Sequence, residues 1–258
     1  MSWLLAVWSV FCFEWRRTLT FGRAIIWIGL VAFPPTIATL VRVSEALMER
    51  RLDSVIWDVV LAALTGVVGL LSLLLWATPI VSEERAANTW SYLAVRSCGV
   101  AAVTIGKYLN AISWAVVTAA AAATLSVAVA LPPGALSLWW MLIALTVLGA
   151  PAYAAVFVLL GVAFERIAMG LSFVYALVLE VVVASAPVVV NQITVRYRLQ
   201  TLLARWREWP LDGFEDVAPV DPGPAWQQML IVLIVAAVVI SVAVFITSIR
   251  ELVKPDRG

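Results

Sequence analysis

Few side chains in this sequence are of the types that carry out catalysis or bind metals. Histidine is absent from the 258 residues, which excludes histidine-activated nucleophiles and histidine-ligated zinc or haem. The two cysteines, Cys12 and Cys98, are too few for a cysteine metal cluster or a disulfide framework. We therefore predict no catalytic residues and no metal site in this chain.

The pair Gly106-Lys107 invites comparison with the phosphate-binding loop G-x-x-x-x-G-K-[ST]. Ala101 stands where the first glycine belongs, and Tyr108 stands where Ser or Thr belongs. No other segment of the sequence offers a phosphate cradle. The chain is therefore expected to hold no cofactor of its own. Lys107 is instead predicted to be a membrane anchor, whose ammonium reaches water at the start of a span.

Glu180 is the only ionisable residue deep within any apolar run of the sequence. A charge at the centre of a bilayer costs on the order of 2.5 to 3.5 kcal/mol, so this side chain should face other helices or a wet cavity. One interpretation places it on a translocation path or at the two-fold axis of a dimer. The other is a neutral carboxyl group bonded to Ser, Tyr or a backbone carbonyl.

The composition indicates that membrane-spanning helices position Lys107 and Glu180. With 64% hydrophobic residues, 13% charged residues and a mean hydropathy of +1.02, the chain is typical of an all-α integral membrane protein. A net charge of +1 gives no field that would attract nucleic acid. Charge-free runs of about 20 residues predict six transmembrane helices, at about 24–41, 59–81, 108–131, 138–164, 167–190 and 229–249.

Several features refine this six-span prediction. Residues 1–22 have the pattern of a helix lying on the membrane surface, with Trp8, Phe11 and Trp15 on one face; an extended first span is the alternative.

The excess of Lys and Arg favours both termini in the cytoplasm, with the chain in a plasma membrane, most simply a prokaryotic cytoplasmic membrane. Pro34-Pro35 and Pro151 are expected to kink or break their spans.

Two segments outside the predicted spans carry helical patterns. The extracytoplasmic segment 191–226 includes a predicted helix, Thr194 to Trp209, with Val195, Leu199, Leu202 and Trp206 on one face. The cytoplasmic segment 82–107 begins with acidic residues, which the dipole of a helix stabilises in its first turn. Trp90 and Leu93, three residues apart, offer an apolar anchor on one face of that helix. It is either a docking helix for a partner or a solvated loop.

The order of residues in this cytoplasmic segment resembles that of the permease subunits of type-2 ABC exporters. An acidic stretch leaves the second span, a Thr-x-x-x-Leu helix and an Arg-Ser turn follow, and Gly106-Lys107 opens the third span. Asn88 replaces the family's usual glycine, and no proline precedes the Arg-Ser turn, so the cargo stays open. In this family the segment is the coupling helix that docks on the ATPase; here it would use Glu83, Glu84, Arg85, Thr89, Trp90, Leu93 and Arg96.

The resemblance also implies partners and a mechanism. Two copies of an ATP-binding subunit would bind ATP and Mg, and a second permease copy or a related permease would complete the path, with membrane lipids around it. The helix between spans five and six would cap the exit; a helix that rests on the outer leaflet is the alternative. Two other functions are compatible with a polytopic bundle, namely an ion-coupled secondary transporter that uses Glu180 and a membrane scaffold or assembly subunit that transports nothing.

Overall fold

The computed structural model describes residues 3–49, 52–78, 99–164, 166–183, 194–209 and 223–252. Every regular element in these ranges is a helix, which confirms the predicted all-α class. The elements are α1 (Trp3–Thr18), α2 (Phe21–Leu47), α3 (Ser54–Trp76), α4 (Gly99–Ala130), α5 (Ala135–Ala163), α6 (Ala168–Val174) with a π-helix that continues it (Tyr175–Val183), α7 (Val195–Trp206) and α8 (Ala225–Leu252).

Five of these helices are long and apolar enough to cross a membrane, namely α2, α3, α4, α5 and α8. They correspond to predicted spans one, two, three, four and six. Helix α4 begins at Gly99, so the helix of predicted span three also includes the last residues of the segment 82–107 that was predicted to be cytoplasmic. Of the kink or break expected at the prolines, a break is not seen, since Pro34 and Pro35 lie inside α2 and Pro151 lies inside α5.

Helix α1 is separate from α2. Thr20 precedes α2 with an extended backbone (φ −117°, ψ 152°), which disagrees with a single extended first span. α1 packs along the beginning of α4. A Cβ atom at Gly106 would lie 2.7 Å from Val10 Cγ1, so the absence of a side chain at Gly106 allows this close approach. Trp15 then stacks on Trp114, with ring centroids 4.7 Å apart.

Helices α4 and α5 form the centre of the bundle. α4 packs against α1, α2, α3 and α5, while α5 also packs against α6, α7 and α8. Buried apolar side chains form two clusters along this centre. One cluster includes Leu61, Leu142 and Leu202 and lies at the Pro133 end, which we define by the turn between α4 and α5. The opposite end, where α5 leads into α6, is the Arg166 end.

Helix α5 is flanked in succession by α6, the π-helix and α7. Phe157 lies against Tyr175, with ring centroids 5.9 Å apart, and the next turn places Tyr153 at Glu180. Further along, a Cβ atom at Gly149 would lie 2.6 Å from Leu199 Cδ1, and Arg207 reaches the carbonyl of Pro133. α6, the π-helix and α7 therefore all run from the Arg166 end toward the Pro133 end.

Two predictions concern this part of the chain. The described part of predicted span five (about 167–190) forms α6 and the π-helix, which together end at Val183; residues 184–190 lie outside the described part, so the sixth span stays a prediction. The segment 191–226 was predicted to be extracytoplasmic. Its helix α7 forms as expected, but it lies beside the half of α5 nearest the Pro133 end, and α5 is itself a candidate span.

Candidate functional site

The residues of the predicted coupling helix, namely Glu83, Glu84, Arg85, Thr89, Trp90, Leu93 and Arg96, lie outside the described residues. Their flanks are described. Thr78 follows α3, and its carbonyl oxygen occupies the space that a Cβ atom of Gly161 would need. The chain therefore leaves α3 in direct contact with α5 at the Arg166 end.

Lys107 differs from its predicted role. Its side chain is only 4% exposed and its Nζ lies 3.7 Å from Glu14 Oε1 of α1. Thr18 of α1 accepts a hydrogen bond from Asn110 Nδ2, one turn further along α4 (3.3 Å). The ammonium thus contributes to the contact between α1 and α4, whereas the sequence predicts an anchor that extends into water.

Glu180 is 1% exposed and both of its carboxyl oxygens are engaged. The hydroxyl of Tyr175 donates to Oε1 (2.9 Å), and the hydroxyl of Tyr153 donates to Oε2 (3.0 Å). The backbone N–H of Arg196 also donates to Oε2 (3.0 Å). The bonds to Tyr153 and Tyr175 match the partner type of the second interpretation, a neutral carboxyl group bonded to Ser, Tyr or a backbone carbonyl; the neutral charge stays a prediction.

The contact between Glu180 and Arg196 is reciprocal. Glu180 accepts from a backbone N–H in the first turn of α7, and Arg196 Nη1 donates to the backbone carbonyl of Glu180 (3.1 Å). Thr194 Oγ1 accepts from the N–H of Tyr197 (3.2 Å). The free N–H groups at the start of a helix need hydrogen-bond partners wherever water is excluded. The positive end of the helix dipole also stabilises a carboxylate at this position. Glu180 thus caps α7.

The π-helix explains how one segment supplies both a tyrosine and the carboxyl group. Its hydrogen bonds join residues five apart, so side chains at i and i+5 lie closer together than in an α-helix. Tyr175 and Glu180 are five apart and bond directly. Such π-segments occur frequently at functional sites, and no sequence signal predicted this one.

A second buried charge was missed by the sequence analysis. Asp58 in the first turns of α3 is 1% exposed. Its Oδ2 accepts from Arg207 Nε (2.8 Å) and from Trp209 Nε1 (3.1 Å), while its Oδ1 accepts from Arg207 Nη2 (3.2 Å). Arg207 also donates to the carbonyl of Pro133 (3.1 Å). This cluster fastens the end of α7 to α3 and to the turn between α4 and α5.

A third polar cluster lies nearby at the Pro133 end. Arg42 at the end of α2 donates to the carbonyls of Ala130 and Leu131, which close α4. It also pairs with Glu45 (2.9 Å) and lies over the ring of Trp57, 4.7 Å from its centroid. Basic groups at a helix C-terminus complement its free carbonyls, so this cluster ties α2, α3 and α4 together.

A cavity of about 100 Å³ lies between α3, α5 and α7. Tyr153 and Arg196 line it near the middle of α5, and Trp209 lines it at the Pro133 end. It therefore connects the surroundings of Glu180 with those of Asp58. Within the described ranges, no group of His, Cys, Asp and Glu side chains is placed to hold a metal ion.

Comparison of the chain with family models, curated proteins and solved structures gives no match. What can be said of its activity therefore comes from its own residues and geometry.

Proposed function

We propose that this chain is the transmembrane permease subunit of an ATP-driven exporter of the type-2 ABC family. Two copies, or one copy and a related permease, would form the translocation path. Two separate ATP-binding subunits would dock on the helix predicted at 82–97. Since the chain has no phosphate-binding loop, ATP hydrolysis would belong to those subunits.

The observation that carries the proposal is the residue pattern of Ser82 to Leu109, which joins two helices of spanning length, α3 and α4. The geometry around this pattern supports a role in transmission. Gly106 and Lys107 contact α1, and Thr78 contacts Gly161 of α5. A force applied between α3 and α4 would therefore reach α1 and α5 through direct contacts.

The membrane topology of the proposal needs six crossings. Five are the helices of spanning length. We assign the fifth crossing in chain order to α6, the π-helix and α7 together, because they follow one another along α5 in the same direction. Discontinuous spans of this kind occur in transporters where neighbouring helices satisfy the freed backbone groups, and Glu180, Thr194 and Arg196 do so here.

Co-purification with an ATP-binding subunit tests the proposal. The chain would be co-expressed with the ATP-binding subunit encoded beside it and purified in detergent. We expect co-elution for the wild type and its loss for the double variant Glu84→Ala, Trp90→Ala. A matched control is Glu208→Ala, Trp140→Ala, which removes one exposed glutamate and one exposed tryptophan from the Pro133 end and should leave co-elution intact.

Absence of co-elution for the wild type would reject the permease proposal. An ion-coupled carrier is the next candidate, because Glu180 is a buried carboxyl group beside a cavity. The bonds that occupy both of its oxygens argue for a structural role instead, and the Glu180 variants described below separate the two.

A further inference from the structure

The walls of the cavity between α3, α5 and α7 are mostly apolar. One face of α3 from Val59 to Leu73 forms one wall, and α5 forms another from Leu142 to Tyr153. Gly66 and Gly69 leave space on the α3 side, and a Cβ atom at Gly66 would meet no atom within 4 Å. The cavity opens beside Gly66, which lines it and is exposed, so an apolar chain can lie partly within its walls.

The polar groups of the cavity are concentrated at one end. Arg196 and Gln200 are one helical turn apart on α7 and both line it. The hydroxyls of Thr65 and Thr146 donate to carbonyls of their own helices, so they are already engaged. Among the described residues, the Gln200 amide has no hydrogen bond, and Arg196 uses only Nη1 of its side chain, on the Glu180 carbonyl.

These donors lie deep in the bundle. Arg196 is beside Tyr153, past the middle of α5 as counted from the Pro133 end. A half-buried guanidinium at this depth is costly unless an anion compensates it. The Glu180 carboxyl group bonds to Tyr153 and Tyr175 and is not among the residues that line the cavity, whereas Tyr153 and Arg196 are.

We propose that this cavity binds a free single-chain amphipathic acid. Its carboxylate would accept hydrogen bonds from Arg196 and Gln200, and its alkyl chain would extend along α3 toward Trp209. The distance along α7 from Arg196 to its end is about 15 Å, which suits a medium-length chain. This binding site does not depend on whether the protein is a permease, a carrier or a scaffold.

The orientation of the site distinguishes a free acid from a membrane phospholipid. The polar end of the cavity lies deep in the bundle and the apolar end lies near Trp209 at the Pro133 end. A bilayer phospholipid has the opposite order, with its headgroup at the surface and its chains in the interior. A single-chain acid that enters beside exposed Gly66 can adopt the inverted orientation.

Equilibrium binding of radiolabelled dodecanoate to the full chain in phosphatidylcholine nanodiscs tests the proposal. We expect saturable binding, and binding of dodecanol that is about tenfold weaker or more, because a hydroxyl loses the charge-assisted bonds to Arg196. Gly66 lines the cavity and is exposed, so Gly66→Leu adds bulk at the opening of the cavity and should weaken dodecanoate binding about tenfold or more. Gly29→Leu also enters open space, but on α2, away from the cavity, and should bind like the wild type.

A second variant removes a hydrogen-bond donor at the polar end without filling the cavity. Gln200→Leu should reduce the preference for dodecanoate over dodecanol while dodecanol binding is kept. Thermal unfolding of each variant reports whether the fold is retained. No saturable dodecanoate binding to the wild type would overturn the proposal and leave the cavity to phospholipid chains. Equal loss in Gly66→Leu and Gly29→Leu, or equal binding of acid and alcohol, would also overturn it.

Discussion

Asp58 is a buried charge whose three hydrogen bonds all come from the end of α7. Neutralising one partner of a buried ion pair leaves the other uncompensated, at a cost of about 3 to 5 kcal/mol. We expect Asp58→Asn to lower the free energy of unfolding by about 3 kcal/mol, measured by thermal or denaturant unfolding in detergent. Asp53→Asn is the matched control, since Asp53 is an exposed helix cap and Asn caps as well as Asp does. Equal effects of the two variants would contradict this assignment.

Glu180 allows a second prediction about a single residue, which also separates a structural role from proton transport. In Glu180→Gln the amide oxygen can still accept from Tyr153 and from the Arg196 N–H, and its NH₂ group can donate to Tyr175. We expect this variant to unfold within about 1 kcal/mol of the wild type and to keep its activity. Glu180→Leu leaves three buried donors without an acceptor and should lower the free energy of unfolding by about 3 kcal/mol or more. A stable Glu180→Gln protein that has lost transport or its pH dependence would favour the carrier instead.

Helix α1 packs closely on α4 at Gly106. A methyl group at Gly106 would meet the β-branched side chain of Val10 and the carbonyl of Val7 at 3.1 Å, and β-branched side chains cannot rotate away easily. We expect Gly106→Ala to loosen α1 and to speed tryptic cleavage after Arg17, because proteolysis requires local opening. Gly29→Ala meets no neighbour in α2 and is expected to cleave like the wild type. Unchanged cleavage in Gly106→Ala would disprove this close packing.

The helices differ in how well the sequence alone predicts them. Spans α2 to α5 and α8 were predictable because long charge-free runs have few alternatives to a membrane span. The amphipathic pattern of α7 predicted a helix. It could not say what the apolar face packs against, because such a face suits lipid and neighbouring helices equally well. Pro34 and Pro151 were expected to kink or break their helices, and both helices continue through them. The π-helix at Tyr175 has no local sequence signal.

The candidate site was predictable only in part for a similar reason. Glu180 was conspicuous as an acid in an apolar run, but its partners Tyr153 and Arg196 come from other helices. The partners Asp58 and Arg207 are 149 residues apart in the chain. Residues this distant meet because of helix packing around α5, and a single sequence contains no record of that packing.

At the scale of the whole molecule, the number of crossings decides on which side the C-terminus lies. If α6, the π-helix and α7 together cross the membrane, Arg166 and Glu208 lie on opposite sides, and α8 returns the chain to the side of Arg166. If this part of the chain turned back without crossing, Arg166 and Glu208 would lie on the same side. Both side chains are exposed and follow the end of a helix, so they suit chemical labelling.

We expect single cysteines at these two positions to react from opposite sides of the membrane. Arg166→Cys and Glu208→Cys would be made after Cys12 and Cys98 are changed to Ser, and treated with a membrane-impermeant maleimide on intact cells. Glu208→Cys should label together with a reference, Pro133→Cys, because Arg207 bonds to the Pro133 carbonyl. Arg166→Cys should label only after permeabilisation, since the basic residues favour that side as cytoplasmic. Labelling of Arg166→Cys and Glu208→Cys from the same side would reject the discontinuous crossing, and with it the six-span topology on which the permease proposal depends.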